Sequence, residues 1–257
     1  MTKILYVHND VTHNTRAPKE VVPIIMELFN PKSVIDIGCG IGTWLSVFKE
    51  NNVLEFIGVD GGYVDKSKLM IPLDRFISAD LRLPFRYPKR FDLAISLEVA
   101  EHLPSESSEP FVDTLVNLSD VILFSAAVPG QGGQNHINEQ WVNYWQEKFS
   151  RRGYIFYDDL RPVIWWNSNI EWWYKQNIFL VINEKFQYHK NANNNVLPAI
   201  HPEMHNHYKK MYEDRIAKFI RMENEYKTLI SGRGGIKRSL GIFLRTILKL
   251  ISNNRSI

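Results

Sequence analysis

The sequence predicts an α/β fold in which a mostly parallel sheet carries helices on both faces. Short apolar runs alternate with segments of helical spacing between residues 33 and 125, and the first run ends in a glycine-rich turn. Two further apolar runs follow, at residues 154–157 and 178–182. Alternating strands and helices are typical of parallel sheets whose crossover helices cover both faces.

The first strand and its turn lie in the stretch from Val34 to Trp44, where an apolar β run gives way to glycines and then to helical spacing. Glycine lets a ligand lie against the backbone because no Cβ intervenes. The spacing departs from the dinucleotide fingerprint, and Asp36 would repel a pyrophosphate but suits an ammonium group. S-adenosyl-L-methionine (SAM) fits this turn, because its carboxylate can meet N–H groups at the helix N-terminus.

At this stretch the sequence resembles the class I SAM-dependent methyltransferases, whose first motif has this acidic residue and this glycine spacing. The resemblance implies a Rossmann-like fold with a seven-stranded, mostly parallel sheet, and it implies SAM as the cofactor. The single cysteine, Cys39, lies among the glycines, where a small side chain is needed, and it is assigned no chemistry of its own. The cofactor-binding residues expected in the turn are Asp36, Gly38, Cys39 and Gly40.

Three more strands follow in the order expected of this family. Phe56–Asp60 is predicted to end in a carboxylate that accepts hydrogen bonds from both ribose hydroxyls. Ile77–Leu81 brings Asp80 to the adenine amino group and the Leu81 N–H to a ring nitrogen. Phe91–Glu98 is the fourth strand and is nearly continuously apolar. The cofactor-binding residues expected beyond the turn are Asp60, Gly61, Asp80, Leu81, Leu97 and Glu98.

The rest of the sheet is predicted from three later segments. Asp120–Ser125 is the fifth strand, and helical spacing follows from Glu139 to Phe149. Tyr154–Tyr157 and Ile178–Ile182 match the closing antiparallel hairpin of the family. The sequence therefore predicts seven strands, with cofactor and acceptor meeting at their carboxyl ends.

The candidate catalytic residues follow strands four and five. A hydroxyl acceptor needs a base to remove its proton, and His136 is the predicted general base because a glycine-rich loop delivers it just before a helix. Glu101 and His102 are further candidates, although a Glu-His pair at this place often serves packing or cofactor enclosure in the superfamily. With Glu98, these residues can instead share a divalent metal. Their spacing does not decide this, so no metal ligand is assigned.

Two other segments are expected near the ligands. Asn14 and Arg16 lie in a segment that often folds over the cofactor in related methyltransferases. A later aromatic cluster suggests a wall for the apolar faces of a sugar, with plain packing against the sheet as the alternative. Its members are Trp165, Trp166, Trp172, Trp173 and Tyr174.

The chain divides by composition into a methyltransferase domain at 1–185, a helical extension at 186–230 and a basic amphipathic tail at 231–257. The tail has six basic residues and no acid, so the remainder is net acidic although the whole chain carries +3. We therefore expect no nucleic-acid partner. The tail suits an anionic membrane surface or a partner helix, and the extension packs on the core or on a second subunit, as in a homodimer.

No apolar run reaches the length of a membrane span, and the N-terminus lacks the pattern of a signal peptide. A cytoplasmic location is expected, with peripheral contact at the inner face of the membrane if the tail binds lipid.

Over residues 14 to 185 the chain looks like methyltransferases encoded among bacterial surface-polysaccharide genes. This resemblance implies O-methylation of a sugar or sugar-linked group of a surface glycan, with a small metabolite or a phosphoramidate-type group as the alternative acceptor. A nicotinamide oxidoreductase, which Asp36 and Thr43 disfavour, and a non-catalytic SAM-binding scaffold are alternatives of other classes. Methylation of DNA bases is disfavoured, because Ser96–Val99 replaces the Asn/Asp-Pro-Pro-aromatic turn of those enzymes.

Overall fold

The computed structural model describes residues 13–188, 196–231 and 241. Seven strands form one sheet in the order β3-β2-β1-β4-β5-β7-β6. The first five are parallel, and β7 runs antiparallel to both β5 and β6. The predicted seven-stranded, mostly parallel sheet with a closing antiparallel hairpin is therefore confirmed. The strands are β1 (Ser33–Ile37), β2 (Glu55–Asp60), β3 (Phe76–Ser78), β4 (Leu93–Leu97), β5 (Val121–Ser125), β6 (Tyr154–Tyr157) and β7 (Phe179–Asn183).

Helices cover both faces of the sheet, so its central strands β1, β4 and β5 are mostly apolar and are buried along their whole length. Neighbouring β1 residues contribute to opposite sides, since Val34 belongs to one buried cluster and Ile35 to the other. The first cluster includes residues of α1 and α2, and the second includes residues of α3 and α4. The helices are α1 (Arg16–Phe29), α2 (Thr43–Glu50), α3 (Ser108–Leu118), α4 (Val142–Ser150), α5 (Arg161–Ile164), α6 (Trp172–Asn177) and α7 (Pro202–Ile230).

Two predicted boundaries differ from the structure by three residues, each for a local reason. β3 ends at Ser78 rather than Leu81, because the Asp80 side chain accepts the Arg82 N–H and the chain turns there. The helix predicted from Glu139 begins at Val142, because the Glu139 carboxylate is bound to backbone N–H groups of the preceding loop.

The order of the strands explains where a ligand can bind. β1 lies between β2 and β4, so the chain leaves β1 toward one side of the sheet and later returns on the other side. Loops after such neighbouring strands diverge and leave a crevice at the carboxyl ends of the strands. The predicted site residues at the ends of β1, β2 and β4 therefore share one edge of the sheet.

The chain divides into two compact units, one ending at His201 and one beginning at Pro202. Within the second unit, α7 forms residues Pro202–Ile230 of the segment predicted as a helical extension. None of the helices in the described part of the chain is long and apolar enough to cross a bilayer. The predicted basic tail lies outside the described residues, apart from residues 231 and 241.

Candidate active site

The glycine turn, residues 38–42, joins β1 to α2 through three left-handed glycines. Gly38, Gly40 and Gly42 have φ angles of 91°, 54° and 83°. A Cβ at Gly38 would lie 2.3 Å from a methyl group of Val99, in the segment that follows β4. Because the conformation and the close approach both exclude a side chain, only glycine fits at this position. The turn therefore packs directly against the segment that carries the predicted catalytic pair.

Two buried carboxylates flank the glycine turn. Asp60 accepts the Gly40 N–H and the Gly61 N–H at 2.6 Å each and the Tyr63 hydroxyl at 2.7 Å. Burial raises the pKa of Asp60, while these hydrogen bonds oppose the shift. Burial and the charge of Asp60 raise the pKa of Asp36 well above its ordinary value. Two such carboxylates suit a ligand that brings positive charge and hydroxyl donors, as SAM does.

The remaining predicted cofactor residues lie in different surroundings. The Asp80 carboxylate pairs with the Arg82 guanidinium at 2.6 Å on the surface, so an adenine amino group would share that carboxylate. The Leu81 and Leu97 side chains belong to the two buried clusters, and only their backbone groups could bind a ligand. The Cys39 thiol is buried, and burial raises its pKa well above the ordinary value, so it is unreactive.

Glu98 begins the acceptor side in an unusual backbone conformation. Its φ is 55°, a left-handed value that is uncommon for a residue with a Cβ. The Glu98 N–H donates to the Ser125 carbonyl and hydroxyl, and the Gln131 and Asn177 amides donate to its carboxylate at 2.7 and 3.2 Å. Burial raises the pKa of Glu98, and these donors lower it. Gln131 and Asn177 were not predicted from the sequence, because only the fold brings them to Glu98.

The Glu101 carboxyl group is completely buried, and neither of its oxygens has a hydrogen-bond partner among the described residues. Burial, followed by the charge of Glu98, raises its pKa well above the ordinary value. The Glu101 carbonyl accepts the Ile137 and Asn138 N–H groups at 3.0 Å each, which ties the loop after β5 to this segment. An unpartnered buried carboxyl is costly, so its retention at a ligand crevice indicates a function.

Glu101, His102 and His136 form what we term the acceptor-side cluster. One potential ligand atom from each residue lies within 4.8 Å of the other two. The imidazole rings of His102 and His136 are 4.8 Å apart, edge to face. Burial, followed by the charge of His136, lowers the pKa of His102 to about 4, so this ring is neutral at pH 7. The fold thus brings all three predicted catalytic residues together.

Glu139 orients His136 and was not identified from the sequence. Its Oε1 lies 2.8 Å from His136 Nδ1 and accepts the Gly132 N–H at 2.6 Å, while Oε2 accepts the Gly130 N–H at 2.7 Å. With the proton on Nδ1, the imidazole keeps a lone pair on Nε2 for a proton or a metal. A Cβ at Gly133 would lie 2.2 Å from Nε2, so this glycine makes room for the ring. The sequence signal for this pair is a carboxylate three residues after the histidine.

A family model described as a methyltransferase domain matches residues 12–174. The chain belongs to this methyltransferase family. It is a SAM-dependent methyltransferase, and SAM is its cofactor. Membership of the family rules out the nicotinamide oxidoreductase alternative.

Solved structures bear on the fold of this methyltransferase. The methyltransferase domain of bacterial CtHen1 is 18% identical, with a TM-score of 0.50 over 65% of this chain and 97% of that one. Magnesium protoporphyrin IX methyltransferase from Synechocystis PCC 6803 is 15% identical, with a TM-score of 0.49 over 69% and 89%. An O-methyltransferase family protein from Burkholderia thailandensis is 13% identical, with a TM-score of 0.48 over 66% and 56%. No curated protein sequence matches the chain.

The ring contacts of the aromatic cluster fall into two groups, one around Tyr174 and one around His201. Tyr174 packs edge to face on Trp44 of α2, with ring centroids 5.3 Å apart, and thus follows the packing interpretation. The Trp165 ring lies 4.5 Å from that of His201. Trp166 is 79% exposed and is available to a ligand.

The N-terminal segment of the methyltransferase meets the start of α6. Asn14 Nδ2 donates to Glu171 Oε1 at 3.0 Å, and the Arg16 guanidinium pairs with the same oxygen at 2.8 Å. Both residues contact Glu171 in the structure, and their approach to the cofactor stays a prediction. Since Asn177 at the end of α6 reaches Glu98, this helix connects the N-terminal segment with the acceptor side.

Proposed function

We propose that this methyltransferase moves the SAM methyl group to a hydroxyl oxygen of a sugar or sugar-linked group. The observation that carries the proposal is the acceptor-side cluster, which follows β4 and β5 next to the glycine turn. Val99, between Glu98 and Glu101, packs against Gly38 of that turn. The acid–base groups are therefore built onto the element that binds the cofactor.

A hydroxyl acceptor explains why the site holds a histidine–carboxylate pair. In the transfer, the sulfur–methyl bond breaks with its electron pair remaining on sulfur, and the acceptor oxygen forms the new bond to carbon. The proton of the hydroxyl must leave as that bond forms, and a positioned base typically accelerates such a step about 10² to 10⁴-fold. His136, oriented by Glu139, is the proposed proton acceptor. Holding the two reactants in line lowers the activation barrier further, by on the order of 7–11 kcal/mol in well-oriented systems.

The cofactor contacts in this proposal follow from the donor set around the glycine turn. Asp36 faces the SAM ammonium group, Asp60 and Gly61 hold the ribose hydroxyls, and Asp80 and the Leu81 N–H meet the adenine. The backbone at the ends of β1 and β4 lines the cofactor through Gly38, Cys39, Gly40, Leu97 and Glu98.

Two features support a sugar or a sugar-linked group as the acceptor. An exposed tryptophan such as Trp166 can stack on the apolar face of a sugar. The basic tail suits an anionic surface, in agreement with a lipid-linked or membrane-proximal glycan acceptor at the cytoplasmic face. A small metabolite or a phosphoramidate-type group remains the alternative acceptor, and homodimerisation through the helical extension remains a proposal.

The test uses SAM carrying a ¹³C-labelled methyl group and a panel of sugar nucleotides, lipid-linked oligosaccharides and amine analogues of the same sugars. Carbon-13 NMR distinguishes a methyl group on oxygen from one on nitrogen or carbon. We expect labelled methyl on a sugar oxygen, formed only with native protein. Exclusive N- or C-methylation, or transfer to none of the sugars by protein that binds S-adenosylhomocysteine, would contradict the proposal. Binding is checked by thermal unfolding, since ligand at about 100 times its Kd adds roughly 2.7 kcal/mol.

A further inference from the structure

The acceptor-side cluster holds more than a single general base needs. A base requires one imidazole and a group to orient it, which His136 and Glu139 supply. The cluster adds a second imidazole and a buried carboxyl group whose oxygens have no partner in the described part of the chain. We propose that Glu101, His102 and His136 bind a first-row divalent metal ion that holds the acceptor hydroxyl. This inference rests on the proposed function and names how that site lowers the pKa of its acceptor.

The geometry of the cluster is close to that of a three-ligand metal site. The three ligand atoms lie within 4.8 Å of one another. Ligands about 2.0–2.2 Å from a shared ion are roughly 3 to 3.5 Å apart, so small side-chain rotations bring them to bonding distance. Three protein ligands also leave coordination positions open for the acceptor oxygen, which is the arrangement of catalytic rather than structural metal sites.

The charges around the cluster favour a cation. Glu101 is completely buried, and Glu98 lies close enough for its charge to act on the Glu101 carboxyl group. A bound divalent ion would give the unpartnered oxygens of Glu101 a ligand-bonding role and offset this repulsion.

The surrounding contacts match those that orient metal ligands. Glu139 binds Nδ1 of His136, as carboxylates do when the other ring nitrogen ligates a metal. Glu139 is in turn fixed by the backbone N–H groups of Gly130 and Gly132. A donor set of two imidazole nitrogens and a carboxylate oxygen suits Mn²⁺, Fe²⁺, Co²⁺ or Zn²⁺ better than Mg²⁺ or Ca²⁺, which prefer oxygen ligands.

The ion changes one step of the proposed reaction. The acceptor oxygen binds the cation, its pKa falls, and its proton leaves to water. The resulting alkoxide attacks the methyl carbon while the sulfur–carbon electron pair returns to sulfur. His136 then acts as a ligand, and the metal ion replaces it as the group that makes the oxygen nucleophilic.

Cobalt binding tests the site without relying on activity. Purified full-length protein is stripped with EDTA, passed through a desalting column and titrated with Co²⁺, whose visible absorption reports nitrogen and oxygen ligands. We expect equimolar binding by the native protein and loss of the spectrum in Glu101→Gln, His102→Gln and His136→Gln. The exposed Glu106→Gln is the matched control and keeps the spectrum. Glu139→Gln should weaken cobalt binding about 10- to 100-fold.

Folding of the variants is checked separately, by the thermal shift that S-adenosylhomocysteine produces. A variant that keeps this shift and loses cobalt has lost a ligand rather than its fold. No cobalt bound by the native protein, or unchanged affinity in the three ligand variants, would overturn the metal site.

The labelled-methyl assay separates this inference from the proposed function. We expect EDTA to lower O-methylation about 100-fold or more and Mn²⁺ or Co²⁺ to restore it. O-methylation that is insensitive to EDTA would refute the metal site and leave the proposed function standing, with His136 as the base. Cobalt binding together with transfer only to nitrogen or carbon would refute the proposed function and leave the metal site standing.

Discussion

The proposed cofactor side and the proposed acceptor side of the site are built in different ways. The cofactor side is made by one continuous stretch, Asp36 to Gly42, together with Asp60 at the end of the adjacent strand. The acceptor side gathers side chains from the segment after β4, the loop after β5 and the end of α6. The first depends on backbone conformation and the second on side-chain contacts across the fold. Substitutions should therefore affect cofactor binding and chemistry separately.

The largest expected effect separates chemistry from binding. His136→Ala removes the proposed proton acceptor, which is also a proposed metal ligand, so kcat should fall about 10² to 10⁴-fold. The affinity for S-adenosylhomocysteine, measured by calorimetry, should stay within about twofold, because the His136 ring contacts His102 and Glu139 and not the glycine turn or Asp60 in the described residues. His205→Ala, at an exposed position on α7, is the control and should leave kcat unchanged. A loss in kcat below tenfold would show that His136 is not part of the chemistry.

The next effect should be confined to the cofactor side. Gly38→Ala forces a side chain into a left-handed conformation and against Val99, at 2.3 Å. Strain of about 1–2 kcal/mol and overpacking of about 1–3 kcal/mol should together lower the free energy of unfolding by roughly 2–5 kcal/mol. Urea denaturation measures this loss, and S-adenosylhomocysteine binding should weaken with it.

Gly130→Ala isolates the strain from the clash. Gly130 has a φ of 84°, and a Cβ there meets open space. This acceptor-side substitution should therefore cost only about 1–2 kcal/mol. If the two variants lose the same free energy of unfolding, contact with Val99 is not the reason why position 38 requires glycine.

The two sides also differ in what the sequence reveals. Asp36, the glycine turn and Asp60 are predictable because a tight turn and a strand end are local, and glycine spacing reports backbone conformation directly. Glu101, His102 and His136 could be named as candidates, but nothing local places residues 35 positions apart around one point. Gln131 and Asn177 escaped prediction because an amide at a loop or a helix end has many ordinary uses.

The two wrongly predicted boundaries lie where hydrogen bonds of a side chain take the place of those of a regular helix or strand. Glu139 fits the helical period that follows it, yet its carboxylate binds Gly130 and Gly132 and keeps the chain in the loop. Asp80 continues an apparent strand, yet it closes a turn onto Arg82. In both cases the side-chain carboxylate accepts a hydrogen bond from a nearby backbone N–H group, and this bond competes with the strand or helix.

A smaller effect on the cofactor side concerns charge. Asp36→Asn should weaken SAM binding by about 1.5–3 kcal/mol, or roughly 10- to 100-fold, because a charged hydrogen bond to the ammonium group is lost. In the protein without SAM, the same substitution should raise the free energy of unfolding. Burial raises the pKa of Asp36 in the folded state, so the stability that the protonated group contributes is lost as pH rises from about 4 through the folded-state pKa.

The free energy of unfolding of unliganded Asp36→Asn should therefore exceed that of the native protein at about pH 8, and the difference should shrink toward about pH 4. Chemical denaturation at several pH values, with Asp74→Asn as an exposed control, measures both trends. A variant less stable than the native protein at every pH would show that Asp36 is held by partners that prefer its charge.

The smallest effect tests whether the two sides are independent. Helix α6 touches both, because Tyr174 packs on Trp44 beside the glycine turn and Asn177 donates to Glu98. The ion pair between Arg16 and Glu171 fixes the start of this helix, but the Arg16 side chain is 61% exposed, so Arg16→Ala should lower stability by no more than about 1 kcal/mol. If α6 couples the two sides, SAM affinity and kcat fall together, each by a few fold at most. A change in stability alone would mean that the cofactor and acceptor sides work separately even at the element they share.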